Sequence, residues 1–237
     1  HQYHRLISAH QSHRRISAPS YRGLFSAPSI LQAHAPADIR EGQQMNYISV
    51  VRGTFVRRCN RFVAEVDIGG RPETVHVKNT GRLRELLEPG TPVYLECSRS
   101  LSRKYRHSLI AVEKNGTFVN IDSQAPNKVV CEALRDGKLK EFGNIRTLKS
   151  EAVYGRSRFD LYFEGDGRKG FIEVKGVTLA IGDTALFPDA PTGRGTKHVL
   201  ELIEAAKEGY AAAVIFLVQR KDCRRFAPNA EMDAPFA

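Results

Sequence analysis

Two short segments that alternate apolar and polar residues, Arg158-Phe159-Asp160-Leu161-Tyr162-Phe163 and Gly170-Phe171-Ile172-Glu173-Val174-Lys175, flank the pair Asp166-Gly167. An Asp-Gly pair in that setting is a strong short-range signal for a two-residue hairpin turn, because both turn residues need a positive φ. Centring the turn there leaves one register, in which Phe163 faces Gly170, Leu161 faces Ile172, and Asp160 faces Glu173. The pleat then sends Phe159, Leu161, Phe163, Ile172 and Val174 to a core face. It sends Arg158, Asp160, Tyr162, Phe171, Glu173 and Lys175 to the other. A slip of one residue would mix the two sets, so the apolar pattern itself holds the register.

Directly opposed residues in such a pair have Cβ atoms roughly 5 Å apart, a distance at which two carboxylates repel. A divalent cation relieves the repulsion economically. Mg²⁺ is commonly held by one or two carboxylates, with substrate phosphate and water completing its octahedron. Lys175, on the same face, is placed to neutralise a phosphate or orient an attacking water. The same short pattern on an unrelated strand would form ordinary surface ion pairs among Asp160, Arg158 and Lys175. A pair of acids working on a glycosidic bond fits less well, since Lys175 and Arg158 would keep both carboxyls ionised.

Beyond the hairpin, the chain restricts the choice further. The strand continues through Gly176-Val177-Thr178 into a proline-broken loop, Asp183 to Pro191. A helix is expected from about Thr196 to Glu208, with Val199, Leu200, Leu202, Ile203 and Ala206 at helical spacing and Gly209 as its stop. The apolar run Ala211 to Val218 then reads as a strand buried on both faces, ending in Gln219-Arg220. A further helix, with apolar positions 129, 130, 133 and 134, precedes the hairpin. Together these make an α/β core.

The blocks Phe187-Pro188-Asp189-Ala190, Arg194-Gly195-Thr196-Lys197-His198 and Val218-Gln219-Arg220, with Asp160…Glu173-Val174-Lys175 and Asn79-Thr80-Gly81, resemble the sugar fermentation stimulation protein (SfsA) family. The resemblance runs from about Asn46 to the end. It implies a small OB-like β-barrel followed by a restriction-endonuclease-like domain of the PD-(D/E)xK kind, α+β overall, and DNA binding. Carried over by residue, it makes Asp160 and Glu173 metal ligands together with the Val174 backbone, and Lys175 the catalytic lysine. Glu132, on the helix before the hairpin, and Gln219 are the further catalytic candidates. Arg194 and Lys197 are expected to touch phosphate, whereas His198 reads as an ordinary helix residue. Two departures stand out. Lys78 follows Val77 where relatives usually carry Cys-Pro, and the chain stops at Ala237, sooner than relatives do, so the expectation is a C-terminally truncated domain that lacks a final strand and helix.

Formal charge supports a polyanion as partner. Of the net +10, residues 1–44 carry +3, residues 45–125 carry +5 and residues 126–237 carry +2, so the excess is densest outside the carboxylate region. Residues 45–123 hold short apolar segments, from Ile48 to Ile121, separated by Gly69-Gly70, Glu88-Pro89-Gly90 and Asn115-Gly116. That spacing suits a small barrel. Barrels of the OB kind bind nucleic acid through a basic groove with aromatic platforms. The candidates are Arg57, Arg58, Arg61 and Phe62 on the first hairpin, Lys78, Asn79, Thr80 and Arg82 after the third strand, and Arg103, Lys104 and Tyr105 in a later loop.

The expected domains are therefore a 1–44 extension, a 45–123 barrel and a 124–237 nuclease-like domain. Residues 1–44 hold five of the eight histidines and no acid before Asp38, a composition like that of a targeting peptide or a non-native extension ahead of Met45. No stretch approaches the roughly 18 to 20 apolar residues of a membrane span. The four cysteines are dispersed, fitting neither a metal knuckle nor a disulfide framework, and point to a reducing compartment. The expectation is a cytoplasmic protein, or an organellar one if residues 1–44 are a transit peptide, that binds single-stranded or duplex DNA and can pair as a homodimer. Its expected cofactor is Mg²⁺ or Mn²⁺. The alternative is a non-catalytic DNA-binding regulator of sugar-utilisation genes with an idle nuclease fold.

Overall fold

A computed structural model describes residues 46–100 and 102–237. The extension at 1–44 and Met45 lie outside the described residues. The chain divides into two compact units. One takes the described residues up to Ala125 together with Gln219–Asp222, and the other takes Pro126–Val218 with Cys223–Ala237.

In the first unit, β1 (Val50–Asn60), β2 (Val63–Asp67), β3 (Pro72–Val77), β4 (Pro92–Cys97), β5 (His107–Lys114) and β6 (Thr117–Asn120) run in the order β3-β2-β1-β4-β5-β6. A parallel pairing of β3 with β5, through His76↔Ser108 and Val77↔Leu109, closes the first five strands into a barrel. Closure removes the exposed sheet edges that strands of this composition would otherwise offer to other chains. Alternate residues point inward, and Phe55, Val66, Val75, Leu95 and Leu109 form a core almost without solvent contact. Each such side chain contributes about 1.5–3 kcal/mol relative to exposure. The connection from β3 to β4 adds Leu83, Leu86 and Leu87 to the same core, which anchors the loop that follows Asn79-Thr80-Gly81.

In the second unit, β7 (Ile145–Tyr154), β8 (Ser157–Gly165), β9 (Arg168–Val177) and β12 (Ala211–Val218) form a sheet in the order β12-β9-β8-β7. The hairpin of β8 and β9 has the expected register, from Leu161↔Ile172 to Gly165↔Arg168. Asp166 and Gly167 both have positive φ, 47° and 74°, as a type I′ turn requires. The sheet is antiparallel except for β12, which lies parallel to β9 after a crossover through helix α2 (Gly193–Lys207). Between β9 and α2, β10 (Ala180–Ile181) and β11 (Thr184–Phe187) make a small sheet with β13 (Arg225–Pro228).

Both faces of the main sheet are covered, which corrects the expectation of one core face and one polar face. Helix α1 (Ala125–Arg135) contributes Val130, Cys131 and Leu134 to a cluster with Leu161, Phe163, Ile172 and Val174. Helix α2 contributes Leu202 and Ala205 to a second cluster with Phe159, Phe171 and Val214. Phe159 therefore leaves the set to which alternation assigned it. The β8–β9 ladder stops at Leu161↔Ile172, and Glu151, which would face Asp160 from β7, has φ 56°. The break falls at Asp160, so the pleat does not carry through it.

The apolar strand β12 also departs from expectation. It is an edge of its sheet and most of its residues are only half-buried, with Phe216 packing against Phe187, Phe226 and Phe236. Its aliphatic run reflects partners in the small sheet and the chain end, which periodicity cannot register.

Candidate functional site

The break at Asp160 has a chemical consequence. With no backbone partner across the strand there, the Asp160 Oδ2 accepts from the Val174 N–H at 2.7 Å. Its Oδ1 accepts from Asn127 Nδ2, on the first turns of α1, also at 2.7 Å. Both oxygens are thus aimed by one strand and one helix. Burial, and then the negative charge of Glu173, hold the Asp160 carboxyl above its usual range, against the lowering effect of the Val174 N–H, Asn127 and Lys175.

Glu173 is 3 % exposed. Its Oε1 accepts from Lys175 Nζ at 2.5 Å and faces His198 Nδ1 at 2.6 Å. Its Oε2 is buried with no hydrogen-bond partner. A buried carboxylate oxygen without a donor costs more than most native structures tolerate, so such an atom marks a site that expects a further occupant. Lys175 is itself largely enclosed, its side chain 16 % exposed.

Asp160, Glu173 and Lys175 are therefore brought together, while the other expected members are distributed differently. Glu132 sits half-buried on α1 with no bond to the pair. Asn127, five residues earlier on the same helix, is the residue that reaches Asp160. Gln219 belongs to the barrel unit, where its Nε2 donates to Asn120 Oδ1 at 3.1 Å and to the Asp122 carbonyl at 3.4 Å. Its amide is consumed in satisfying a buried strand end. Arg194 on α2 directs its Nε to His198 Nε2 at 3.4 Å, and Lys197 is exposed, with a loose pair to Glu201. Among the described residues no group of three or more His, Cys, Asp or Glu is arranged to hold a metal ion.

The barrel candidates also separate. Lys78 is half-buried between Asp122 Oδ2 and Glu96 Oε2, at 2.9 Å from each. Burial pulls its pKa down, but the two carboxylates outweigh that and leave it raised. Arg58 donates to the carbonyls of Asn60, Arg61, Asn79, Gly81 and Arg82, so it is a brace for the Asn79-Thr80-Gly81 loop. Asn79 Oδ1 accepts from the Gly81 N–H in a local turn, and Thr80 is exposed. Arg57 is paired with Glu65. Arg61, Arg82, Arg103 and Lys104 remain exposed, Lys104 lies over the Tyr105 ring at 5.3 Å, and Phe62 is 54 % exposed. Charge alone could not distinguish internal braces from available cations.

A family model described as the sugar fermentation stimulation protein RE domain matches residues 124–237, and one described as the SfsA N-terminal OB domain matches residues 56–121. A sugar fermentation stimulation protein homolog from Alkaliphilus oremlandii is 52 % identical over 198 residues, covering 81 % of this chain and 84 % of that protein. The chain belongs to the sugar fermentation stimulation protein family. A homolog from Clostridium tetani is 49 % identical over 190 residues, 80 % of this chain and 83 % of that one. The solved structure of Pyrococcus furiosus SfsA in complex with Ca²⁺ is similar to this family member with a TM-score of 0.76 and 32 % identity, covering 81 % and 83 % of the two chains. The barrel and the sheet-plus-helix unit are thus the architecture of the family.

Two site residues escaped the sequence reading. Asn127 gave no signal, because an amide on a helix turn is common. His198 stood in a family block but read as an ordinary helix residue, and only the α2 crossover shows that it reaches Glu173.

Proposed function

We propose that this protein binds DNA through its barrel and hydrolyses phosphodiester bonds at Asp160, Glu173 and Lys175 with the aid of Mg²⁺ or Mn²⁺. The observation that carries the reading is Glu173 Oε2, buried and unpartnered next to a second carboxyl whose pKa is raised. A cation satisfies that oxygen and relieves the repulsion in one step. Two carboxylates without a third ligand suit an ion that keeps waters and takes substrate phosphate as a ligand. The Ca²⁺ named for the Pyrococcus furiosus relative supports a divalent cation in this family.

Asp160 and Glu173 would hold the cation, with the Val174 backbone beside them. When bound, it would lower the pKa of a water and offset charge on the phosphate. Lys175, held by Glu173, keeps a positive charge where the phosphate develops negative charge. Asn127 and the Val174 N–H keep Asp160 in one orientation. In the barrel, Phe62 offers a stacking surface, and Arg61, Arg82, Arg103 and Lys104 are the cations free to meet phosphates.

The test incubates the protein with labelled single-stranded and duplex DNA, with Mg²⁺, with Mn²⁺ and with chelator, beside an Asp160→Ala, Lys175→Ala double variant. The expected result is cleavage that needs the metal and is lost in the variant, with binding that weakens steeply as salt rises. Binding without cleavage under either metal would favour the regulator. A flat salt response would remove DNA as the partner.

A further inference from the structure

We propose that His198, set in turn by Arg194, is a positioning residue that presents Glu173 to the cation, an inference that rests on the metal reading above. Arg194 has only donors to offer, so the His198 Nε2 that its Nε approaches at 3.4 Å must be the accepting nitrogen. The ring proton is then on Nδ1, and His198 is the donor in the 2.6 Å bond to Glu173 Oε1. The ring is held by a bond at each nitrogen.

The arrangement divides the two oxygens of Glu173. Oε1 takes one bond from Lys175 and one from His198, which fills its two lone-pair directions. Oε2 takes none and is buried. One oxygen is thus committed to the protein and the other is left to the ion. Lys175 cannot enforce this alone, because a flexible side chain two residues along the same strand follows the carboxylate if it rotates. His198 comes from a separate element, with 8 % of its side chain exposed, and its ring stands edge-on to Phe159 at 6.1 Å. Leu202, one turn further along α2, is buried in the cluster that holds the helix to the sheet. The helix therefore fixes the carboxylate in a way the strand does not. Partners of this kind behind metal ligands typically change metal affinity by about 10–100-fold when removed.

Two measurements test it on the full chain. Calorimetric titration with Mn²⁺ compares wild type, His198→Ala, His198→Asn, Arg194→Ala and Glu173→Gln, with the melting temperature of each recorded. His198→Ala is expected to bind Mn²⁺ about 10–100-fold more weakly. His198→Asn is expected to recover most of that loss, because its amide N–H can stand where Nδ1–H stood. Equal affinity of wild type and His198→Ala overturns the proposal, as does an asparagine variant that folds yet binds no better than alanine. Failure of wild type to bind Mn²⁺ would instead bring down the metal reading itself. Independently of metal, ¹⁵N NMR of the imidazole should show a proton on Nδ1 in wild type, as the bond to Glu173 requires. A wild-type ring without a proton on Nδ1 overturns the proposal whatever the titrations give.

Discussion

Arg58 and Arg61 are three residues apart at the tip of the first hairpin, and a charge tally counts them equally, yet Arg58→Ala and Arg61→Ala should behave oppositely. The Arg58 guanidinium donates through Nε to Asn60 O at 3.1 Å, through Nη1 to Gly81 O and to Arg82 O, and through Nη2 to Arg61 O at 2.8 Å and Asn79 O at 2.6 Å. Carbonyls at the exposed positions recover water when the side chain is cut away, so only the half-buried ones of Asn79 and Gly81 count in full. At about 1.5 kcal/mol for each bond to a charged donor, the loss is about 3 kcal/mol. For a chain of this size that lowers the melting temperature by about 6–12 °C. Arg58→Lys should recover little, because an ammonium on a single stem cannot span carbonyls from two loops. Arg61→Ala should leave the melting temperature within about 2 °C. Its effect should appear in fluorescence anisotropy with a labelled oligonucleotide, as weaker binding and a salt slope smaller by about 1. If Arg58→Ala melted like wild type and lost DNA affinity as Arg61→Ala does, the brace assignment would be wrong and the guanidinium would have to be a phosphate contact.

Lys78→Ala leaves Asp122, 1 % exposed, without its cation, and breaking a buried pair on one side should cost about 3–5 kcal/mol, read by urea denaturation. Lys78→Ala together with Asp122→Asn should recover part of that, since the more deeply buried of the two carboxylates is then neutral and only the more exposed Glu96 is left without its cation. Asp160→Asn, in chelator, removes the ionisation of Asp160 while giving up one of its two accepted bonds, so its pH dependence and not its absolute melting temperature carries the test. The folded-state pKa of Asp160 lies above the ordinary carboxyl value of 3.8, so its favourable contribution is present below that value and is lost as pH rises through the folded pKa. The variant should therefore gain on wild type as pH is raised from about 4 to 7 in thermal melts, and a variant that loses ground over that range would contradict the buried-repulsion reading.

The parts of this molecule that were legible in the sequence are those set by local pattern. Asp166-Gly167 determines the turn, and the turn determines the register from Leu161↔Ile172 to Gly165↔Arg168, which brings the two strands together up to Asp160, where the Val174 N–H and Asn127 take over the orientation of the carboxyl. Gly209, with φ 90°, stops α2 where the periodicity ends. What was not legible depends on which distant element covers a face. The sequence set Phe171 and Glu173 on a polar face, but α2 lies over that face and buries both. That burial removes solvent from Glu173, so its second oxygen has no donor, and the same helix supplies the imidazole that fills the first. Likewise nothing in a run of arginines tells which guanidinium will find a ring of carbonyls; that depends on a loop whose position is set by Leu83, Leu86 and Leu87 in the barrel core. The hairpin alone would have made an exposed ion pair of modest worth. It is the crossover helix, packed by Leu202 and Ala205, that converts the pair into a desolvated one.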